Sequence, residues 1–530
     1  MTRTVGTIAG RITGRTVRGA ARWRAWRAAA LGTALAAVLT TLPGVGVPAA
    51  SAGTAIAAFW PSFGGSSART SSTAGGMAAA LYDRWALHLG GDIHTQPVVD
   101  GPVIYCASDS GHYYAVDAPS GGALWDYDAG AKIASTAALG PTMLYFGDNN
   151  GTLHAVDRST GKVVWKAEGS GWIRSSPAVE GGMVIGTASD GRVFALDAAK
   201  GTKIWEASLA DIPSTPAVGG GRVVVETIGG RVVALNLADG KVAWDKDLRV
   251  SLNLTPAIAG DRVIVGSQAY YGGGVYALSL ADGSRIWHFS VPGNDQWSGV
   301  AVSGGRVFVG NIGAEYGLDL ATGDRLWKYV YQNPVWYETR YYYPTMQAPV
   351  ANDGRVLAVA TFAIPRPARF LVLNAGDGTL LWETPLSDWT PGTPPAIAGG
   401  VVYVGAYGGY LHALSGISVL YNGAPVVFPD QEPFIRDGRT LVPVRALFDV
   451  FGGTTAWDPV ARTATGTVGS TVLKITIDAK TANVNGKDVS LDVPARIVNG
   501  RTVVPLRFVS ENLGAAVTFD RPTETIRVTK

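Results

Sequence analysis

Cysteine is what this 530-residue chain has least of, with Cys106 standing alone. A single thiol excludes an internal disulfide, a paired-cysteine redox site and a multi-cysteine zinc site. Cys106 lies in an apolar strand-like run, VIYCAS, and reads as a small buried hydrophobe. Histidine is scarce too. His88, His94, His112, His154, His288 and His412 fall into no HExxH or other paired-ligand spacing. His154 and His412 hold the same repeat position, which suits core or rim packing better than metal binding. No GxSxG element and no Walker-type loop occurs, so the sequence carries neither the nucleophile elbow nor the phosphate cradle. Charged residues make up only 16%, below the usual quarter, and no acid occurs before Asp83. Glycine, by contrast, is abundant at 69 residues, which favours tight turns and short strands over helices. At 47% hydrophobic, the chain can build a sizeable core.

The acid-free N-terminus holds Arg3, Arg11, Arg15, Arg18, Arg22, Arg24 and Arg27, then an apolar run over 28–42, then Ala50-Ser51-Ala52. A basic region, an apolar region and a small-x-small site predict a secretory signal peptide over 1–52. The apolar run is short for a spanning helix, so a membrane attachment follows only if the leader stays uncleaved. No twin arginine and no cysteine after the run point to general export without lipidation. The expected location is secreted or on the extracellular cell surface. The formal charge is +3, but removing the leader's seven arginines leaves 37 bases against 41 acids. The basic balance therefore gives no reason to expect a nucleic-acid partner.

One unit recurs along the chain. GRVFALDAAKGTKIW, ending at Trp205, repeats as GTLHAVDRSTGKVVW ending at Trp165 and GRVVALNLADGKVAW ending at Trp244. Related copies end at Trp125, Trp287, Trp327 and Trp382, mostly 39–43 residues apart. Trp85 stands 40 residues before the first full copy, and an extra unit start follows at 395–415. Each unit reads as four short strands between Gly-rich turns, the propeller pattern. Eight starts and eight Trp strands predict a mainly β chain. Its centre is an eight-bladed β-propeller over 81–415, with the Trp85 strand completing the last blade in a 3+1 closure. The blade tryptophans are expected to pack between neighbouring blades, and the Gly four residues earlier to make the turn. Asp117, Asp157, Asp197 and Asp319, with Asn236 and Asn374, are placed to cap that turn.

The A-x-D-x-x-T-G-x-x-x-W unit resembles the quinoprotein-type (pyrroloquinoline quinone repeat) propeller over about 58–415. Trp60-Pro61-Ser62-Phe63-Gly64 and Ala68-Arg69-Thr70 resemble the lead-in common ahead of such propellers, here within 53–80. The family holds quinone-dependent dehydrogenases and also non-catalytic scaffolds. The dehydrogenase branch implies a quinone, a calcium ion, a base Asp and adjacent cysteines. The adjacent cysteines are absent, and no inserted segment supplies an evident calcium set. The expectation is a binding scaffold without cofactor, with a quinone-dependent dehydrogenase of divergent site as the alternative.

Departures from the repeat mark where a ligand would sit. Three connections are expanded: 331–347 (YQNPVWYETRYYYPTMQ), 362–369 (FAIPRPAR) and 268–274 (QAYYGGG). Second-to-third and fourth-to-first connections of a blade emerge on one face. That face is expected to present Tyr270, Tyr271, Trp297, Trp336, Tyr337, Arg340, Tyr341, Tyr342, Tyr343, Arg366, Arg369 and Trp389. Aromatics beside arginine compose binding hot spots and suit an envelope protein or a cell-wall glycan. The long segment either binds or folds over the central channel.

After Ser415 the pattern changes. Gly438-Arg439-Thr440, Pro443, Arg445 and Trp457-Asp458 recur 62 residues later as Gly500-Arg501-Thr502, Pro505, Arg507 and Phe519-Asp520. Two α+β repeats are predicted, at about 417–465 and 480–530 within a 416–530 domain. These GRTxVPxR repeats resemble the stalk domain named after the N-terminal part of copper amine oxidases, which implies an extracellular appendage. No histidine follows His412, so an imidazole copper site cannot be built there. The repeated arginines are expected to tie helix to sheet.

Overall fold

In the computed structural model the described residues are 59–73, 76–252, 254–267, 273–290, 298–332, 335–337, 340–342, 344–352, 354–362, 368–386, 391–429, 431–520 and 524–530. The leader at 1–52 lies outside them. The repeats form four-stranded antiparallel sheets that follow one another along the chain. In one, Ala217–Gly219, Arg222–Glu226, Arg231–Asn236 and Val242–Asp247 pair in order. Its second and third strands are buried almost throughout, because neighbouring sheets cover both faces, and this is why they are written as apolar runs. Its outermost strand exposes every residue except Trp244. The register shifts by a bulge beside each blade tryptophan, as between Ala234 and Leu235, which aims the indole at the next sheet. The strand that carries Trp85, Tyr82–His88, pairs with Tyr410–Ser415, in the sheet that also holds Val401–Gly405 and Ala396–Ala398.

The tryptophans link sheet to sheet. The indole N–H groups of Trp85, Trp125, Trp165, Trp205, Trp244, Trp287 and Trp327 donate to the carbonyls of Ala118, Arg158, Ala198, Leu237, Leu280, Leu320 and Ala375, each just past the third strand of the following sheet. The turn glycine of that following sheet lies against the same ring: a Cβ on Gly240 would stand 2.5 Å from Trp205. The glycine therefore serves a turn with φ +68° and also a close approach, of which the repeat shows only the first. The carboxylates of Asp117, Asp157, Asp197 and Asp319 accept the backbone N–H three residues on, as their spacing predicts. Trp382 departs from this pattern. Its indole bonds Thr384 Oγ1, and its ring meets Tyr82 and Phe434. The equivalent carbonyl would belong to Gly416, where the chain leaves for the C-terminal domain.

In that domain Arg439–Pro443 pairs antiparallel with Arg501–Pro505, Val442 opposite Val504. These two residues are repeat equivalents, so a local two-fold axis passes between them. Helices α1 (Val444–Val450) and α2 (Leu506–Asn512) follow the paired strands directly, each entered through its proline. Thr454–Asp458 begins a five-stranded sheet that ends at Lys487–Ser490, so the stretch between the two sequence repeats is part of a sheet. Ser418–Tyr421 pairs parallel with Thr525–Thr529 and ties the start of the domain to its end. The repeated arginines do not tie helix to sheet. Arg439, Arg445, Arg501 and Arg507 are all exposed, and the helices are held by apolar contacts such as fully buried Leu447, Phe448 and Val509. Phe448 lies over Gly466, where a Cβ would come within 2.1 Å of the ring.

A cavity beside the lead-in segment as candidate functional site

The lead-in runs along the innermost strands of successive sheets. Pro61, Ser67, Ala68, Thr70 and Ser71 offer their carbonyls to the N–H groups of Leu139, Val218, Ile258, Val302 and Ala351 at 2.7–2.9 Å. Phe59–Trp60 and Ser72–Thr73 add as short strands beside Val98–Asp100 and Val350–Asn352. Inner strands that would otherwise leave an edge unpaired are thus satisfied by one segment. Arg69 anchors it. This residue is 2% exposed, and its guanidinium donates to the carbonyls of Phe63, Ser176, Pro177 and Pro216 at 2.5–3.1 Å. Burial pulls its pKa down to about 9.

Above the lead-in lies a cavity of about 690 Å³. Phe63, Arg69 and Ser71 form its floor. Gln96, Thr255, Ser298, Gln347 and Thr393, from connections that enter the innermost strands of different sheets, form its walls. Gln96 braces floor to wall: its Oε1 accepts from Gly64 N–H at 2.8 Å, and its Nε2 donates to the Pro395 carbonyl at 2.9 Å. Among the described lining residues Arg69 carries the only charge and there is no carboxylate. Gln347 Oε1 and Thr393 Oγ1 are buried without a hydrogen-bond partner among the described residues. Both are therefore acceptors that an incoming donor could satisfy. Behind the wall, Glu226 and Glu315 are fully buried. Burial pushes Glu226 up to about 8 despite the Leu254 N–H it accepts, and pushes Glu315 well above the carboxylate range.

Among the described residues, one expanded connection reaches the cavity, with Thr345, Met346 and Gln347 in its wall. Val335–Tyr337 pairs with Arg340–Tyr342, Trp336 opposite Tyr341, and Thr345–Met346 then joins the next sheet. The predicted Trp336, Tyr337, Arg340, Tyr341 and Tyr342 therefore lie on one hairpin, a few residues ahead of the cavity wall at Thr345–Gln347. Arg369 is held inside a sheet instead, 2.7 Å from Glu383, which also accepts from the Tyr331 hydroxyl. Tyr270, Tyr271, Trp297, Tyr343, Arg366 and Trp389 lie outside the described residues.

Linear spacing also misses Asp92, His94 and Asp109. They come from two connections, and their ligating atoms lie within 4.8 Å of one another. The cluster is already paired. Lys132 stands 2.5 Å from Asp109, whose carboxylate also faces His94 at 3.3 Å, and Asp92 accepts the Gly408 N–H. His154 is core, as its repeat position suggests, between Asp148 at 2.9 Å and the Tyr127 hydroxyl at 3.0 Å. Burial alone would raise the Asp148 carboxyl, yet hydrogen bonds from His154 and from backbone N–H groups hold it below its usual range. Cys106 is fully buried, its thiol pushed up to about 12, and so is no nucleophile.

The chain matches two protein families. Residues 114–214 and 195–361 match the outer membrane protein assembly factor BamB, and residues 420–528 match the copper amine oxidase N-terminal domain. No curated protein matches. Among solved structures, BamB from Moraxella catarrhalis is 18% identical over 63% of this chain and 98% of its own, with a TM-score of 0.52. The quinohemoprotein alcohol dehydrogenase of Comamonas testosteroni is 15% identical over 74% of this chain and 84% of its own, with a TM-score of 0.54. A europium-containing methanol dehydrogenase is 13% identical over 68% and 98%, at 0.52. At these identities the likeness is one of fold. The chain thus carries a β-propeller of the pyrroloquinoline-quinone-repeat type followed by a domain of the copper amine oxidase N-terminal family.

Proposed function

We propose that this chain is an exported envelope protein whose propeller is a non-catalytic binding platform. In this reading residues 81–415 form eight blades, the last built from three C-terminal strands and the N-terminal strand at Tyr82–His88. The pairing of Tyr82–His88 with Tyr410–Ser415 supports this closure. The domain at 416–530 is then a surface appendage. The basic, apolar leader at 1–52 and the match to an outer membrane assembly factor support export to the envelope or the cell surface.

The observation that carries the reading is the lead-in segment, which lines the cavity at Phe63, Arg69 and Ser71 and leaves it with no carboxylate among its described lining residues. The alternative, a quinone-dependent dehydrogenase, needs oxygen ligands for calcium and a base beside the quinone. The described cavity residues do not fit that group, and the two acids behind the wall are buried and held toward their neutral form. Neutral acceptors and one buried cation suit recognition of a polar partner group instead. The partner, an envelope protein or a cell-wall glycan, would engage the cavity mouth and the adjoining hairpin.

Calorimetric titration with pyrroloquinoline quinone and calcium tests this. No saturable binding is expected, whereas stoichiometric uptake would overturn the scaffold reading. A Trp336→Ala, Tyr342→Ala variant is expected to lose retention on isolated envelope fractions, and full retention would remove the hairpin from the site.

A further inference from the structure

The cavity beside the lead-in lies where a row of hydrogen bonds stops. One repeat position falls three residues before each lead-in contact, at Thr136, Thr215, Thr255, Gly299 and Ala348. Gln96, Ser176 and Pro394 hold it in other sheets, two residues before the innermost strand. In the first sheets the N–H of one such residue donates to the hydroxyl of the next. Gln96 donates to Thr136 at 2.8 Å, then Thr136 to Ser176 and Ser176 to Thr215, both at 3.1 Å. The row goes no further, because Gly299 and Ala348 carry no hydroxyl and Pro394 has neither hydroxyl nor N–H. The N–H groups of Thr255, Gly299 and Ala348 therefore have no hydroxyl ahead of them, and no other partner among the described residues. All three residues line the cavity. A second row fails at the same place. Thr95, Ser135, Ser214 and Ser298 each accept a backbone N–H of their own sheet at 2.9–3.2 Å. Thr393 holds the same position and is 8% exposed, yet its Oγ1 has no partner among the described residues. Gln347, also at this position, ends in a buried Oε1 that is equally unpartnered. Buried polar groups are normally paired, so three open donors and two open acceptors around one space of about 690 Å³ mark a ligand site.

Charge narrows the ligand. Arg69 meets only carbonyls and has no carboxylate partner among the described residues, so its positive charge stands uncompensated at the cavity. We propose that the cavity binds a sugar acid, whose carboxylate accepts from the open N–H groups of Thr255, Gly299 and Ala348. A neighbouring sugar hydroxyl would donate to Gln347 Oε1 or Thr393 Oγ1. Arg69 supplies counter-charge through space, since its hydrogen bonds are spent on holding the lead-in. A neutral sugar would leave that charge uncompensated, and a bare carboxylate would leave both acceptors unpaired. The inference rests on the reading of the propeller as a non-catalytic binding platform and names the group its cavity takes. The same chemistry is offered by a free sugar acid and by the end of an acidic glycan.

The test is calorimetry on the full chain with glucuronate, glucose and acetate. One glucuronate site per chain is expected, with glucose and acetate each weaker by about tenfold or more. The Ala348 Cβ faces Gly299, 3.1 Å from where a Cβ on that glycine would stand. Ala348→Ser thus supplies the hydroxyl that the row lacks and should cap the Gly299 N–H, weakening glucuronate about tenfold. Thr393→Val removes the open hydroxyl at nearly constant volume, and a loss of the same size is expected. Neither substitution removes a hydrogen bond that the fold makes, so both variants should keep the parent's melting profile. Oligoglucuronate separates the two sources: affinity equal to that of glucuronate assigns a glycan end, and no binding assigns the free acid. No saturable glucuronate binding, glucose binding as tight, or unchanged affinity in both variants would each overturn the proposal. Retention on envelope fractions by a chain that binds no glucuronate would overturn the ligand class and leave the platform reading standing.

Discussion

Replacing Gly240 by alanine tests whether the blade turns are held by their conformation or by the ring they face. Gly240 has φ +68°, and an added Cβ would lie 2.5 and 2.7 Å from atoms of the Trp205 ring. The left-handed backbone costs an L-residue about 1–2 kcal/mol. Forcing a methyl into a packed indole adds about 1–3 kcal/mol, because the ring is fixed on its far side by the Leu237 carbonyl. The expected loss is thus about 2–5 kcal/mol. Gly260 supplies the control, since its φ is +63° with nothing within 4 Å of the added Cβ. Gly260→Ala should lose only the conformational part. Urea unfolding followed by tryptophan fluorescence, with the propeller transition compared at equal slope, reads both. If the two variants lower the midpoint equally, the close approach to Trp205 contributes nothing and the account of blade-to-blade locking is wrong.

Other consequences are open to measurement. Arg69→Met removes the cation that gathers four carbonyls and should release the lead-in, costing about 2–4 kcal/mol and exposing residues 59–73 to protease; a lead-in as protected as in the parent would refute its anchoring role. Glu226 has its folded pKa raised, from 4.5 to about 8, so the protonated form is the one the fold favours. Its contribution is whole below the unfolded value and is lost as pH rises through that window. Stability should fall between about pH 5 and 8, and Glu226→Gln should flatten the fall; an unchanged slope would mean the carboxyl is solvated. Glu432 receives the Ala79 N–H and the Arg355 guanidinium, both at 2.7 Å, at the junction of propeller and C-terminal domain. Glu432→Ala should cost about 1–2 kcal/mol and speed cleavage between the two parts under limited proteolysis, with no change expected inside either part.

Much was legible in the residues because repetition averages away local ambiguity. The spacing of the blade tryptophans, the turn glycines and the capping aspartates marks the repeated four-stranded sheets. The two GRTxVPxR copies likewise located their strands and helices. These features are local, and a strand pattern or a turn is decided within a few residues. His154, His412 and Cys106 were readable for the same reason, since His154 and His412 share a repeat position and Cys106 lies in an apolar strand of the repeat.

What the sequence could not decide was whatever depends on residues distant along the chain. Arg69 looks like an isolated base in a Ser-rich stretch. Only the closed-in arrangement of the inner strands makes it the floor of a cavity, bonded to carbonyls up to 147 positions away. The arginines of the C-terminal repeats read as internal ties because buried arginine is normally paired. The pairing of Val442 with Val504 turned them outward instead. Asp92, His94 and Asp109 have no readable spacing, since two separate connections bring them together. By itself the sequence determined the kind and spacing of the repeated elements, because these follow from periodicity and turn chemistry. The tertiary structure alone decided which side chains share a cavity, because that follows from how the sheets pack on one another.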